Sequence, residues 1–233
     1  AQIDEFHVRG LAATKEMISI LGVAPGARVL DAGAGIGGPA RQLAAASGAH
    51  VTALDLSDDY VAAGRTFTEW VGLSDQVEHL LADVADLNVL EAEAFDAAWT
   101  IHVGMNVPDK AAFYAGIYRA LKPGAKFIIY DIFETGKDVD FPLPWARTSE
   151  ASFTVTVKEA QSLLGSAGFK ITHLENQAKQ ALAFFAAIAA KAPSPIGLPL
   201  LLGADAPQRL QNAAKGLKIG ALFPAMIVCE KPE

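Results

Sequence analysis

The sequence predicts an α/β protein of the doubly wound class. Two observations point there. A strand, a tight glycine turn, a helix and a second strand follow one another over residues 28–55, and strands and helices keep alternating to residue 130. A third observation, hydrophobic residues at 52% of 233, supplies the material for a large core. Residues 3–21 place apolar side chains at helical spacing and lead into the turn Gly22-Val23-Ala24-Pro25-Gly26. Arg28-Val29-Leu30-Asp31 is a short buried strand that runs into a glycine-rich turn. Residues 39–46 form the following helix, with Pro39 tolerated in its first turn, and Val51-Thr52-Ala53-Leu54-Asp55 form the second strand. A helix over 60–71 precedes strands at 77–81 and 97–101. The helix over 110–121 stops at Lys122-Pro123-Gly124, and a fifth strand covers 125–130.

Beyond that point the pattern loosens. Residues 131–153 are rich in proline and charge without a clear period, and long connections of this kind are usually functional loops. A helix over 157–167, closed by Gly168, leads to strands at 169–174 and 221–229. Between these strands lies an alanine-rich, partly helical insert, 177–216. Its apolar run 181–192 is too short to span a bilayer and reads as a buried helix.

Composition narrows the function. The net charge of −7 opposes a nucleic-acid partner, because phosphate binding needs a basic field, and it opposes docking on anionic lipid as well. Cys229 stands alone, so no intrachain disulfide is expected, which suits a reducing cytoplasm. The opening residues Ala1-Gln2-Ile3-Asp4-Glu5 do not have the charged-then-apolar start of a signal peptide. Five scattered histidines and one remote cysteine give no metal-ligand spacing, and no metal is expected.

The glycine loop Asp31-Ala32-Gly33-Ala34-Gly35-Ile36-Gly37-Gly38 is the strongest motif. It lets backbone approach a ligand, and the next helix aims its free N–H groups at the same place. The string alone also fits a dinucleotide site, or a turn needed only for packing. Asp55 ends the second strand, where a carboxylate can accept ribose hydroxyls, but an NAD enzyme would want the same residue. Two other acids discriminate. Asp31 would repel a pyrophosphate yet suits a ligand with an ammonium and a sulfonium. Asp83 can accept from an adenine amine while the Val84 N–H donates to a ring nitrogen. Adenosine plus a cationic sulfonium favours S-adenosylmethionine over NAD.

These motifs resemble those of class I methyltransferases. Val29 to Arg41 looks like the first motif in its Gly-Gly-Pro-Ala-Arg form, and Val51-Thr52-Ala53-Leu54-Asp55-Leu56-Ser57 like the second. Leu81-Ala82-Asp83-Val84 looks like the adenine motif, and Arg119-Ala120-Leu121-Lys122-Pro123-Gly124 like the motif before the fifth strand. Ala125 stands where the family usually has a second glycine. Gln2 to Thr14, His102-Val103-Gly104-Met105-Asn106-Val107 and Phe141-Pro142-Leu143-Pro144-Trp145-Ala146 are similar to the small-molecule branch. That branch includes sarcosine/dimethylglycine, phosphoethanolamine, tocopherol and ubiquinone-type methyltransferases. The resemblance implies a Rossmann-like, seven-stranded sheet with an antiparallel last strand, in one domain over 1–233. It implies an N-terminal helical cover over 1–24; the loop 131–153 is expected to border the acceptor, and the insert 177–216 is a lid or an oligomer contact. It implies Asp31, Gly33, Gly35, Ile36, Asp55, Leu56, Asp83, Val84 and Thr100 at S-adenosylmethionine, with S-adenosylhomocysteine as product.

Methyl transfer from a sulfonium is an in-line displacement, and a base is needed only where the acceptor must lose a proton. His102, just past the fourth strand, is the candidate base; the alternative is a hydrogen-bonding or shaping role. His7, Met105 and Trp145 are expected at a small-molecule substrate. His7 would lie in the cover, or else be a plain surface histidine. Trp145 and Phe141 would offer apolar walls or aromatic faces to an ammonium, or only pack their loop. Arg147 would pair with a substrate carboxylate or with a neighbouring acid. The expected state is monomer or homodimer. The rival functions are an NAD-dependent oxidoreductase and a non-catalytic adenosyl-binding protein.

Overall fold

The computed structural model describes residues 4–190 and 202–233. Its strands are β1 Arg28–Ala32, β2 His50–Asp55, β3 Val77–Leu81, β4 Phe95–Ile101, β5 Leu121–Glu134, β6 Lys170–Asn176 and β7 Leu222–Glu230. They form one sheet in the order β3-β2-β1-β4-β5-β7-β6. β7 runs antiparallel to both β5 and β6, and the remaining pairs are parallel. The doubly wound class is as the sequence pattern predicts, and the reversed last strand is as the resemblance implies.

The described helices are α1 Leu11–Leu21, α2 Gly38–Ser47, α3 Asp58–Trp70, α4 Lys110–Ala120, α5 Val157–Ala167, α6 Ala178–Ala189 and α7 Ala206–Lys218. Local chemistry sets several of their ends. The Ser57 hydroxyl accepts the Tyr60 amide at the start of α3, where Asp58 and Asp59 face the positive helix end. Thr156 and Glu159 form a reciprocal capping box on α5. Pro39 occupies the first turn of α2, and left-handed Gly48 ends it.

Alternation along β1 divides the core. Leu30 and Ala32 face α4 and α5, packing with Phe113, Tyr114, Ile117 and Leu164. Val29 lies on the other face with Met17 and Leu21 of α1, Leu43 of α2, and Trp99 and Tyr130 of the sheet. Full burial of such side chains stabilises by about 1.5–3 kcal/mol each. Asp31 follows Val29 in period, so it points beneath α1 and α2. A third apolar cluster joins Val8, Met105, Ile132, Leu143, Leu217 and Leu222.

Four expectations need correction. β5 does not end at Tyr130: it pairs with β7 from Lys126↔Glu230 to Glu134↔Leu222, so the long connection begins after Glu134. The strand also starts at Leu121, and the register with β4 jumps between Phe95 and Ala97 to absorb Lys122-Pro123-Gly124. The first helix begins at Leu11, because residues 4–10 fold back as an irregular segment with Arg9 and Gly10 at positive φ. α6 is half-exposed rather than buried, with Leu182 at 40% and Ile188 at 49% exposure. Part of the insert, 191–201, and Gln2 and Ile3 lie outside the described residues.

Candidate functional site

The carboxyl ends of β1, β2, β3 and β4 are neighbours, and most of the expected site residues gather there. The strand order reverses between β1 and β4, the place where open α/β sheets form a ligand crevice. At this edge the glycines do different things. A Cβ on Gly33 would meet the Val103 side chain at 2.3 Å, so Gly33 is required for packing. A Cβ on Gly35, at φ +56, would meet nothing within 4 Å. Gly35 is therefore the glycine that leaves open space. The Gly33 and Ala34 amides donate to Leu54 O at 2.8 and 2.9 Å, which ties the turn to β2.

Asp55 braces this loop. Its Oδ2 accepts the Gly35 amide at 2.8 Å and its Oδ1 accepts the Ser57 amide at 2.9 Å. Each carboxylate oxygen has further lone pairs for ligand hydroxyls. Leu56 beside it is 68% exposed, an apolar surface with no protein covering it. Asp83 is exposed, and its Oδ1 accepts the Ala85 amide at 2.8 Å. Val84 turns inward to the α4/α5 core and Ile36 is buried too, its carbonyl accepting from Arg41 at 2.7 Å. The Thr100 hydroxyl donates to Ala32 O at 2.8 Å, so its side chain serves the β1–β4 pair.

Asp31 is 1% exposed, and its Oδ2 has no hydrogen-bond partner. Burial pushes its carboxyl up to about 7; the Trp99 indole opposes this, and the charges of Asp55 and Glu5 add to it. Glu5 is a residue that sequence reasoning missed. Its side chain is 4% exposed, with Oε2 accepting from Thr14 at 2.7 Å and Oε1 unpaired. Burial raises its pKa as well. Nothing local in the sequence marks Glu5, because only the fold-back of 4–10 brings it to the sheet. Arg41 was the other omission. It is 6% exposed and its guanidinium bonds Ile36 O and Asp4 Oδ2, at 2.7 and 3.0 Å. A lone charge on the otherwise apolar face of α2 was its available signal.

The histidines separate clearly. His7 is 6% exposed, so the surface alternative is wrong. Its Nε2 lies 3.0 Å from Gly10 O and 3.2 Å from the Thr14 hydroxyl, and burial drives its pKa down to about 4. His102 has φ 55, a strained value outside glycine. Its amide donates to Tyr130 O at 2.8 Å and its Nε2 is enclosed without a partner. Burial, then the charge of His7, hold the His102 pKa well below the ordinary histidine value. The Tyr130 ring stands 5.1 Å from His102 and 6.1 Å from His7.

On the substrate side, Met105 is 2% exposed within the third cluster, and Trp145 and Phe141 pack against it. The Trp145 indole donates to Ser152 at 2.9 Å. Arg147 pairs with Asp205 at 2.8 Å, the neighbouring-acid alternative. Asp131, expected at the start of a loop, is instead 4% exposed in β5, with burial raising its pKa to about 7. Beside it buried Lys110 donates to Val107 O at 2.9 Å and to Phe153 O, which anchors the long connection to α4. Among the described residues no three His, Cys, Asp or Glu side chains are grouped to hold a metal ion.

A family model described as "Methyltransferase domain" matches residues 30–129, the stretch from mid-β1 to mid-β5. The chain resembles methyltransferases over that stretch. It is 36% identical over 111 residues to a sterol 24-C-methyltransferase of Yarrowia lipolytica, covering 48% of this chain and 29% of that protein. The chain spans less than half the length of the curated relatives it matches. Among solved structures, the geranyl diphosphate C-methyltransferase of Streptomyces coelicolor superimposes with a TM-score of 0.78 at 17% identity. The match covers 94% of this chain and 78% of that one. The cyclase SpnF superimposes with a TM-score of 0.76 at 21% identity, over 100% and 88% of the two chains. At such identities the likeness concerns the fold, and this domain's chemistry has to be argued from its own residues.

Proposed function

We propose that the chain transfers a methyl group from S-adenosylmethionine to a small-molecule acceptor. The observation that carries this reading is the buried Asp31 carboxyl, its Oδ2 without a partner, at an open glycine loop. A buried acid with an unsatisfied oxygen is costly unless a ligand meets it. A phosphate would deepen the conflict, whereas an ammonium removes it. The cofactor, when bound, supplies a methyl group activated on a sulfonium. Around it, Asp31 would take the ammonium end and Asp55 the ribose hydroxyls, with Gly33, Gly35 and Ile36 shaping the cradle. Leu56 would lie against the adenine, and Asp83 with the Val84 amide would meet its edge. The main chain at Thr100 would border the methionine part.

His102, neutral at physiological pH, would accept a proton where the acceptor is a hydroxyl or an activated carbon. His7 helps to build the cover beside it, and Met105 and Trp145 form an apolar boundary on the acceptor side. The sterol and geranyl diphosphate relatives methylate carbon according to their names, which supports an apolar acceptor. The −7 charge supports a small molecule over nucleic acid, and lone, buried Cys229 supports a cytoplasmic setting. Among the described residues no helix is long and apolar enough to cross a membrane. Calorimetric titration with S-adenosylmethionine, S-adenosylhomocysteine and NAD tests the cofactor. Micromolar binding of the first two is expected, and binding of NAD alone overturns the reading. Label transfer to an acceptor panel tests turnover; full cofactor occupancy without transfer would leave a binding protein.

A further inference from the structure

We infer that Glu5 is a cofactor-binding residue of the N-terminal cover, and that it closes with Asp31 as a carboxylate clamp on the ammonium of the cofactor's amino-acid moiety. The inference rests on the proposed cofactor class. It goes further in assigning a ligand to segment 4–10 and in making closure of that segment depend on one end of the ligand.

The geometry has three parts. First, the cover sits directly on the glycine loop: a Cβ added to Gly38 would fall 1.8 Å from Asp4 O. Second, both carboxylates are interior and incomplete. Asp31 Oδ2 and Glu5 Oε1 each lack a partner, although their side chains belong to different elements, a fixed strand and a folded-back segment. Third, the nearby positive charges only partly offset the burial of Glu5, whose pKa stays raised. Arg41 is engaged with Asp4 at 3.0 Å, and Asp55 is another acid. His7 lies 3.5 Å from Glu5 Oε2 but is neutral, its pKa held near 4 by burial. Thr14 aims the Glu5 carboxylate by donating to one oxygen and leaving the other. Two buried acids near each other repel, so the closed cover carries a penalty that a cation between them removes. An ammonium with three donors can satisfy both orphaned oxygens at once.

The full chain tests this with two probes. S-adenosylhomocysteine carries the amino-acid moiety, and methylthioadenosine lacks it. Glu5→Gln keeps the shape and the Thr14 bond while removing the charge. It should weaken S-adenosylhomocysteine about ten- to hundredfold, the loss of one charge-assisted hydrogen bond, and leave methylthioadenosine within about threefold. Equal losses for both probes, or none for either, would overturn the clamp. A second readout needs no variant: trypsin cleavage after Arg9, inside the cover, followed by mass spectrometry. S-adenosylhomocysteine should protect that bond, and methylthioadenosine or magnesium ion alone should not. Protection by either of the latter overturns the inference. If the unaltered protein binds neither adenosyl compound, the proposed function itself has failed, and that outcome is distinct from a failed clamp.

Discussion

The Arg41 guanidinium of α2 reaches the Asp4 carboxylate at 3.0 Å and Ile36 O at 2.7 Å, with the Thr68 hydroxyl at 3.4 Å. One buried cation therefore joins the helix, the glycine loop and the cover. Arg41→Met should cost about 2–4 kcal/mol in urea denaturation, since removing one partner strands the others in a partly buried setting. Arg41→Lys should recover only part of this, because an ammonium lacks the planar fork. A loss below about 0.5 kcal/mol for Arg41→Met would show that the network contributes little.

Gly38→Ala separates the cover from the loop. Alanine is the better helix former by up to about 1 kcal/mol, so α2 itself should tolerate the change. The new methyl would overlap Asp4 O, which is backbone and has to move. The expected outcome is a displaced cover: faster trypsin cleavage after Arg9 and weaker S-adenosylhomocysteine binding, with thermal unfolding still cooperative. Unchanged cleavage would mean that the segment adapts without opening.

Asp31→Asn should stabilise the free protein while removing cofactor affinity. The Asp31 carboxyl is raised from 3.8 to about 7 on folding, so the folded state holds a proton that the unfolded state has released. Stability is lost as pH rises through that window and is level above it. Asparagine removes the penalty, giving about 2–4 kcal/mol above pH ~7 and little near pH ~4. Denaturation at both pH values measures the difference. Asp131 moves in the same direction and remains in both proteins, so the comparison isolates position 31. A variant less stable than its parent at high pH contradicts the assignment.

The sheet was legible because its strands end in residues with local signatures. Asp31, Asp55 and the glycines announce the carboxyl edge through spacing along the chain, and the βαβ alternation announces a parallel sheet. The illegible parts depend on contacts distant in sequence. β5 continues past Tyr130 only because β7, about a hundred residues later, pairs with it to Glu134. Asp131 consequently reads as a loop acid and is an interior one. Glu5 and His7 gain their meaning from a fold-back at Gly10, where a helical period over 3–21 suggested a straight helix. The glycine spacing did not tell that Gly33 is a packing glycine, since Val103 belongs to another strand end.

His102 offers the most direct test of chemistry. Its φ of 55 is held by the bond from its amide to Tyr130 O, and the burial that lowers its pKa keeps the ring neutral. A base already neutral does not titrate in the working range, so turnover should show no acidic limb near the ordinary histidine pKa of about 6.5. His102→Gln should reduce label transfer to a hydroxyl or activated-carbon acceptor by about 10²–10⁴-fold, with cofactor affinity within about threefold. His102→Gly supplies the control for folding: glycine accepts positive φ at no steric cost, so stability should hold or rise while turnover stays lost. Full turnover in either variant would return His102 to a shaping role. An acidic limb near pH ~6.5 that vanishes in His102→Gln would instead show that the ring titrates in the working range.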